Sequence, residues 1–377
     1  MTRINARELS GTEGPFGRGM TISRPAEVPE GSVVSILRVP PEATGMRLDR
    51  FVQSQLKRTS RTRAQKIIAH GAYSPDARRL KGNDRVHAEQ LVLLWRPPWD
   101  EKAPDVTLNV LYEDEHLLAV DKPAGIPVHP TARYHKSTVV KLLEYARDGE
   151  RLMLSHRLDR ETSGVLLLAR TSEADRRIKV QFAQGAAAVG SNEARSVHKE
   201  YVAITWGAPE EDAFRVSLPL ELDPTSRYAV KMRVAKPGTG LPSATQFQVL
   251  GRRTNSSSGR PYALLRCILE TGRQHQIRVH LAALGMPVVG DKLYGPDDGL
   301  FGRGADGELT EEDVVVLELG RHALHAAVLE LEHPAVANQR LRIEAPLPSD
   351  MASFWESLGL TSPAEPCPGP PAKVHDE

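Results

Sequence analysis

Cysteine is nearly absent from this chain: Cys267 and Cys367 are the two in 377 residues. The first lies in a strand-like run and the second in a proline-rich stretch, and neither is matched with histidine at metal-ligand spacing. That excludes a disulfide framework and a cysteine-based zinc site, and it fits a reducing compartment. Long apolar runs are missing as well. No stretch approaches the roughly 18 residues of a membrane span, and residues 1–20 mix Arg, Glu and Gly without the apolar centre of a secretion signal. A soluble cytoplasmic protein is expected. His275, His280, His322 and His325 have no Cys or carboxylate clustered with them at a zinc spacing, so no metal is expected. Without a P-loop or dinucleotide fingerprint, no nucleotide cofactor is expected either.

Charge of one sign is scarce on average, with a formal net charge of +1, but the average hides a basic segment. Over residues 46–88 eleven Lys and Arg stand against three acids, a local +8. That is the footprint of a surface that neutralises a phosphate backbone. Within it, Leu48, Phe51, Val52 and Leu56 fall at helical spacing, and Ser60 is placed to cap a second helix through Arg63, Ala64, Ile67 and Ile68 that Gly71 ends. Strands are predicted over 33–39 and 85–95. Lys57, Arg58, Arg61, Arg63 and Lys66 are the candidate phosphate contacts.

The chain is read as a loose arm (1–30), a small α/β module (31–96), a semi-stiff linker with consecutive prolines (97–106), a large domain (107–350) and a mostly disordered tail (351–377). In the large domain, strand-like pieces at 108–112, 117–120, 165–169, 201–206, 244–250 and 264–269 outnumber helices at 138–146, 172–181 and 274–284. This pattern implies an α+β domain with a mixed, mostly antiparallel sheet. Segments 185–196 and 299–313, rich in Gly with Ala or acid, are expected to be surface loops. The short repeats of Gly, Phe and Arg at 14–19 and 299–304 are read the same way.

Three stretches carry chemistry. His156, Arg157, Leu158, Asp159, Arg160, Glu161, Thr162, Ser163 and Gly164 precede an apolar run, Val165 to Ala169, of buried-strand length. Asp159 stands between two arginines, and nearby cations keep a carboxylate ionised, as a nucleophile or an anchor for an anionic substrate requires. Taken alone, Asp-x-x-Thr better suits a turn whose carboxylate caps the backbone. In the second stretch, Glu270 to Leu281, the residues Ile277, Leu281 and Leu284 share a helical face, Arg278 lies beside it, and Gly285 with Pro287 closes the helix. The third is His198, Lys199, Glu200, Tyr201, Val202 and Ala203, ending at Trp206 and Gly207. Two lesser stretches are Asp121 to Gly125 with His129 and Pro130, and Gly290, Asp291, Lys292, Leu293, Tyr294 and Gly295.

The spelling and order of these stretches, over roughly 108–348, resemble the RluA-type pseudouridine synthases, enzymes that turn uridine in RNA into its carbon-linked isomer. Residues 46–96 resemble the alpha-L RNA-binding module that some of them carry. The resemblance implies Asp159 as nucleophile, Arg278 as its ion-pair partner and Tyr201 as the ring that stacks on the target base and shuttles a proton. It also implies Arg157 as the side chain that fills the gap left by the extruded uridine, and no cofactor. His156 is a further candidate RNA contact, and Arg273, near the helix start, is a candidate phosphate contact where the helix dipole favours anions as well. Extrusion costs about a few kcal/mol of stacking. Attack on the uracil ring and attack on the ribose both stay open. The resemblance leans toward large-subunit ribosomal RNA, with transfer RNA open. The rivals are a non-catalytic RNA-binding factor of ribosome assembly and a glycosidic-bond hydrolase using Asp159 and Glu161.

Overall fold

The computed structural model describes residues 3–5, 24–30, 32–56, 60–96, 106–130, 134, 136–187 and 197–360. It divides into two units: Ala6–Asp105 with His129–Gly149, and Met1–Asn5 with Val106–Val128 and Glu150–Glu377. The expectations for 14–19, most of 97–106, 188–196 and 361–377 lie outside the described residues, as do those for Lys57 and Arg58.

The first strand, β1 (Arg3–Asn5), belongs to the larger unit. In the smaller unit, β2 (Val33–Arg38), β3 (Ala72–Tyr73) and β4 (Leu91–Arg96) form an antiparallel sheet with β4 in the middle. Two helices, α1 (Leu48–Gln55) and α2 (Arg61–Gly71), pack Leu48, Phe51, Val52, Ala64 and Ile68 onto Val92 and Leu94 of β4. The helical spacing of those apolar positions therefore becomes one buried face. The Ser60 hydroxyl accepts the Arg63 amide at 3.2 Å and caps α2. At Gly71 a Cβ would lie 2.1 Å from the Trp95 carbonyl oxygen, so only glycine lets the helix end against β4. The strand expected over 85–95 begins instead at Leu91, because Glu89 takes the left-handed conformation, φ 63°, and turns the chain. The same unit holds α3 (Val139–Ala146), whose N-cap is Thr138.

The larger unit begins with β5 (Thr107–Glu113), β6 (Leu117–Lys122), β7 (Met153–Leu154), β8 (Ser163–Ala169) and α4 (Ser172–Ala187). It continues through β9 (Val197–Trp206), β10 (Ala213–Ser217), β11 (Leu220–Leu222), β12 (Met232–Val234), β13 (Ala244–Thr254), β14 (Pro261–Leu269) and α5 (Gln276–Ala283). It closes with α6 (Gly299–Asp306), α7 (Glu311–Leu317), β15 (Leu324–Glu332), β16 (Arg340–Glu344), α8 (Ser349–Ser357) and β17 (Gly359–Leu360). The main sheet runs β1-β5-β6-β8-β15-β9-β14-β13-β10. Among the described residues only β8 and β15 pair in parallel, with His325 beside Ser163 and Ala326 beside Gly164. The fold is α+β on a mixed, mostly antiparallel sheet.

All seven residues of β8 are buried, as its unbroken apolar run requires. At Gly164, φ is +109° and a Cβ would fall 2.1 Å from the Ala326 carbonyl oxygen, so glycine permits the parallel seam. One core gathers β9, β14, α5 and α8 around Ile204, Leu265, Ile277, Leu281 and Met351. A second joins β6, β8, α4, β15 and β16 around Leu117, Leu167, Ile178 and Leu331.

Three expectations are corrected. Residues 299–313 hold α6 and the start of α7 rather than a loop: Gly307 ends α6 at φ 77°, and Thr310 with Asp313 forms a reciprocal capping box that starts α7. The tail does not begin at 351. Met351 is fully buried in α8, Asp350 pairs with Arg321 at 2.7 Å, and β17 adds to β13. Leu284 is exposed beyond the end of α5, because the helix starts at Gln276 and finishes at Ala283.

Candidate active site

Asp159 lies in the turn that leads into β8. Two ties fix that turn: the Gly125 amide donates to the Arg160 carbonyl at 2.8 Å, and the ammonium of buried Lys122 donates to the same carbonyl at 3.0 Å. Lys122 also donates to the carbonyls of Pro123 and Ile126, and burial pulls its pKa down to about 7. The stretch from Asp121 to Gly125 thus acts as a frame for the aspartate.

The Asp159 carboxylate, 26 % exposed, borders a cleft of about 190 Å³ that Arg157, Tyr201, Arg273, His275 and Arg278 also line. These come from the loop before β8, from β9 and from the start of α5. The turn into α5 is held by the buried Gln276 side chain, which accepts from the Thr271 hydroxyl at 2.6 Å and the Arg273 amide at 3.0 Å and donates to the Ala244 carbonyl at 2.9 Å. His275 completes the turn in the left-handed conformation, φ 57°.

Arg278 is buried and bridges two carboxylates. Its Nε and Nη2 donate to the two oxygens of fully buried Asp291 at 2.6 and 2.8 Å, and its Nη1 donates to Asp159 Oδ2 at 3.0 Å. Asp291 is itself aimed by the amides of Leu293 and Tyr294 at 2.9 and 3.0 Å. Gly290, just ahead of it, lies against another segment of chain: a Cβ there would fall 2.1 Å from the Arg321 carbonyl oxygen.

Burial opposes ionisation of Asp159, but the positive charge of His275 when protonated, of Arg278, and of His322 when protonated outweighs it and holds the carboxyl below the usual range. Burial pushes His275 down to about 4 and His322 to about 3, so both rings are neutral at pH 7. Arg278 is then the standing charge that keeps Asp159 ionised. Burial foremost, and the charge of Asp159 next, raises the Tyr201 hydroxyl above its ordinary value, so it stays protonated.

Asp159, Arg278, Tyr201, Arg157 and Arg273 therefore meet at one cleft. His156 does not line it: its Nε2 accepts the Leu167 amide at 2.9 Å and its ring packs edge-on against Phe182, which makes it a strut of the sheet and corrects its reading as an RNA contact. Arg61 is corrected as well. Its Nε and Nη2 donate to Asp49 at 3.1 and 3.0 Å, alongside Arg47 and Gln65, and Asp49 is fully buried. Arg63 and Lys66 are exposed on the face of α2 opposite Ala64 and Ile68, their side-chain cations without a hydrogen-bond partner among the described residues. Glu161, the second carboxylate of the hydrolase alternative, is held by Lys292 Nζ at 2.9 and 3.1 Å and does not line the cleft.

Sequence reasoning missed Asp291, Tyr294, Lys122 and His275 as parts of the site. Their motifs were visible, but which side chains they meet is fixed by the packing of the turns that carry them. Of the histidines weighed as ligands, His280 hydrogen-bonds Ser243 and Thr245, His322 bonds Thr162, and His325 bonds Ser163.

Residues 116–283 match the model of the RNA pseudouridylate synthase family. Ribosomal large subunit pseudouridine synthase D of Nitrosomonas europaea is 35 % identical over 330 residues, covering 85 % of this chain and 87 % of that one. The protein of the same name from Pseudomonas aeruginosa is 35 % identical over 323 residues, covering 83 % and 92 %. The solved structure of human RNA pseudouridylate synthase domain containing 1, at 24 % identity and a TM-score of 0.52 over 68 % of this chain and 90 % of that one, shares the fold. This chain belongs to the RNA pseudouridine synthase family, isomerases acting on uridine in RNA.

Proposed function

We propose that this synthase isomerises uridine in large-subunit ribosomal RNA, in the cytoplasm, with Asp159 as nucleophile. The observation that carries the reading is the ionised Asp159 carboxylate, one oxygen held by Arg278, at a cleft that Tyr201 shares. The relatives named for large-subunit ribosomal RNA support the choice of substrate.

A paired uridine is out of reach of a recessed carboxylate, so the nucleotide is flipped out of its stack. Arg157, exposed at the cleft and without a hydrogen-bond partner among the described residues, is suited to fill the gap with its planar guanidinium. The Tyr201 ring offers the base an aromatic face. Attack by Asp159 allows the N1–C1′ bond to break, the detached uracil turns, and a C5–C1′ bond forms. The C5 proton is lost, N1 gains one, and Asp159 is released unchanged. Arg273 at the cleft and Arg63 and Lys66 on α2 are assigned to phosphates.

The test is to map pseudouridines in RNA from cells with and without the gene, then restore it intact or as Asp159→Asn. A large-subunit position that is lost and returns only with the intact gene is expected. Loss confined to transfer RNA would overturn the ribosomal assignment, and recovery with Asp159→Asn would overturn the nucleophile.

A further inference from the structure

Two partners face the two oxygens of Asp159. Arg278 binds Oδ2, while Nε2 of His275 stands 3.7 Å from Oδ1. The other ring nitrogen of His275, Nδ1, is 2.7 Å from the Tyr294 hydroxyl, whose oxygen accepts the Met232 amide at 2.8 Å. With that lone pair occupied by an N–H, the hydroxyl proton points to Nδ1. Nδ1 is therefore the acceptor, and the neutral ring carries its proton on Nε2, directed at Asp159. The Tyr294 ring also lies edge-on to His275 at 5.5 Å and beneath the Arg278 guanidinium at 4.9 Å. The segment Asp291 to Tyr294 thus aims Arg278 through the first residue and His275 through the last.

We propose that His275 is a positioning residue that orients the Oδ1 oxygen of Asp159 for attack, and that Tyr294 acts through it by setting its tautomer. The proposal rests on Asp159 being the nucleophile. A separation of 3.7 Å exceeds a hydrogen bond, and catalytic contacts that are long in a free enzyme tighten when substrate is bound. Arg278 alone leaves the carboxylate free to rotate about its Oδ2 contact, and the second donor removes that freedom.

The test is steady-state kinetics on one RNA substrate with His275→Ala, His275→Gln, Tyr294→Phe and the double variant His275→Ala/Tyr294→Phe. A hydrogen bond to a charged acceptor corresponds to roughly 10–100-fold in rate. His275→Ala is expected to lose that factor in kcat with KM within about twofold. His275→Gln, whose amide nitrogen reaches the place of Nε2, should recover part of it. Tyr294→Phe should lose about tenfold, and the double variant should be no slower than His275→Ala, because the tyrosine acts only through the histidine. Independent, multiplying losses in the double variant, or a normal kcat in Tyr294→Phe, would overturn the proposal. Thermal melts accompany each variant, and if His275→Ala fails to fold, His275→Gln and Tyr294→Phe still decide. An active Asp159→Asn would instead overturn the nucleophile itself, whereas an inactive Asp159→Asn with unimpaired His275 and Tyr294 variants would sink this inference alone.

Discussion

The guanidinium of Arg278 reaches Asp159 with one nitrogen only, Nη1 at 3.0 Å, because Asp291 takes Nε and Nη2. A bidentate pair fixes the plane of an arginine, and the plane fixes where its remaining donor points. Asp291 thereby decides the direction of the contact that Asp159 receives, although it does not line the cleft.

Asp291→Ala leaves a buried arginine without its main partner. Breaking a buried ion pair from one side costs about 3–5 kcal/mol, so urea unfolding should register a loss of that size together with a large fall in kcat. An unchanged unfolding midpoint would mean that Arg278 finds another acceptor.

Asp159→Asn removes the charge and keeps the shape. Pseudouridine formation should vanish, and RNA affinity, measured by filter binding, should stay within about a few-fold, since phosphate contacts dominate affinity. Retained turnover would remove Asp159 from the chemistry.

Acid should destabilise the protein earlier than its carboxylates predict. His156 and His322 are pushed by burial from 6.5 to about 3, and His275 to about 4. Each is neutral when folded but takes a proton when unfolded below pH 6.5, so stability is complete above that value and declines as pH falls toward 4. Asp159 and Asp291 have lowered values, and their contributions persist to more acid pH, leaving the window from 6.5 to about 5 to the histidines. Unfolding free energies at pH 7, 6 and 5 should fall in that order, and His322→Gln should lessen the slope. A flat profile would contradict the burial of these rings.

Arg63→Ala with Lys66→Ala should weaken RNA binding and flatten the dependence of log affinity on log salt by about 0.7–0.9 for each phosphate no longer neutralised, with no change in the melt. Arg61→Ala should instead destabilise the smaller unit by about 1–3 kcal/mol, the worth of a hydrogen bond to a charged partner, because fully buried Asp49 is left with Arg47 and Gln65. Equal salt slopes in the double variant and the wild type would move the RNA off this helix.

The contrast between Arg61 and Arg63 marks what a sequence can convey. Local features were legible: the apolar spacing of Leu48, Phe51 and Val52, the cap at Ser60, the buried run of β8, and the three stretches holding Asp159, Tyr201 and Arg278. A tally of basic residues, however, cannot tell a cation bound to a buried aspartate from one facing solvent. Asp291 and Tyr294 escaped for a related reason, since their partners are fixed only by tertiary packing. Over 299–313, Gly and acid suggested irregular chain, yet Thr310 followed by Asp313 is a helix-start pattern that the composition overrode.

The parallel seam that Gly164 permits joins Ser163 to His325, 162 residues further along. At translation speeds of about 5–20 residues per second, roughly ten to thirty seconds separate the emergence of the two strands from the ribosome. A nascent chain thus displays Asp159 long before the neighbouring strand arrives to hold the turn that carries it. Competence comes late in synthesis, and a chain cut short before β15 would carry every motif of the enzyme and none of its activity.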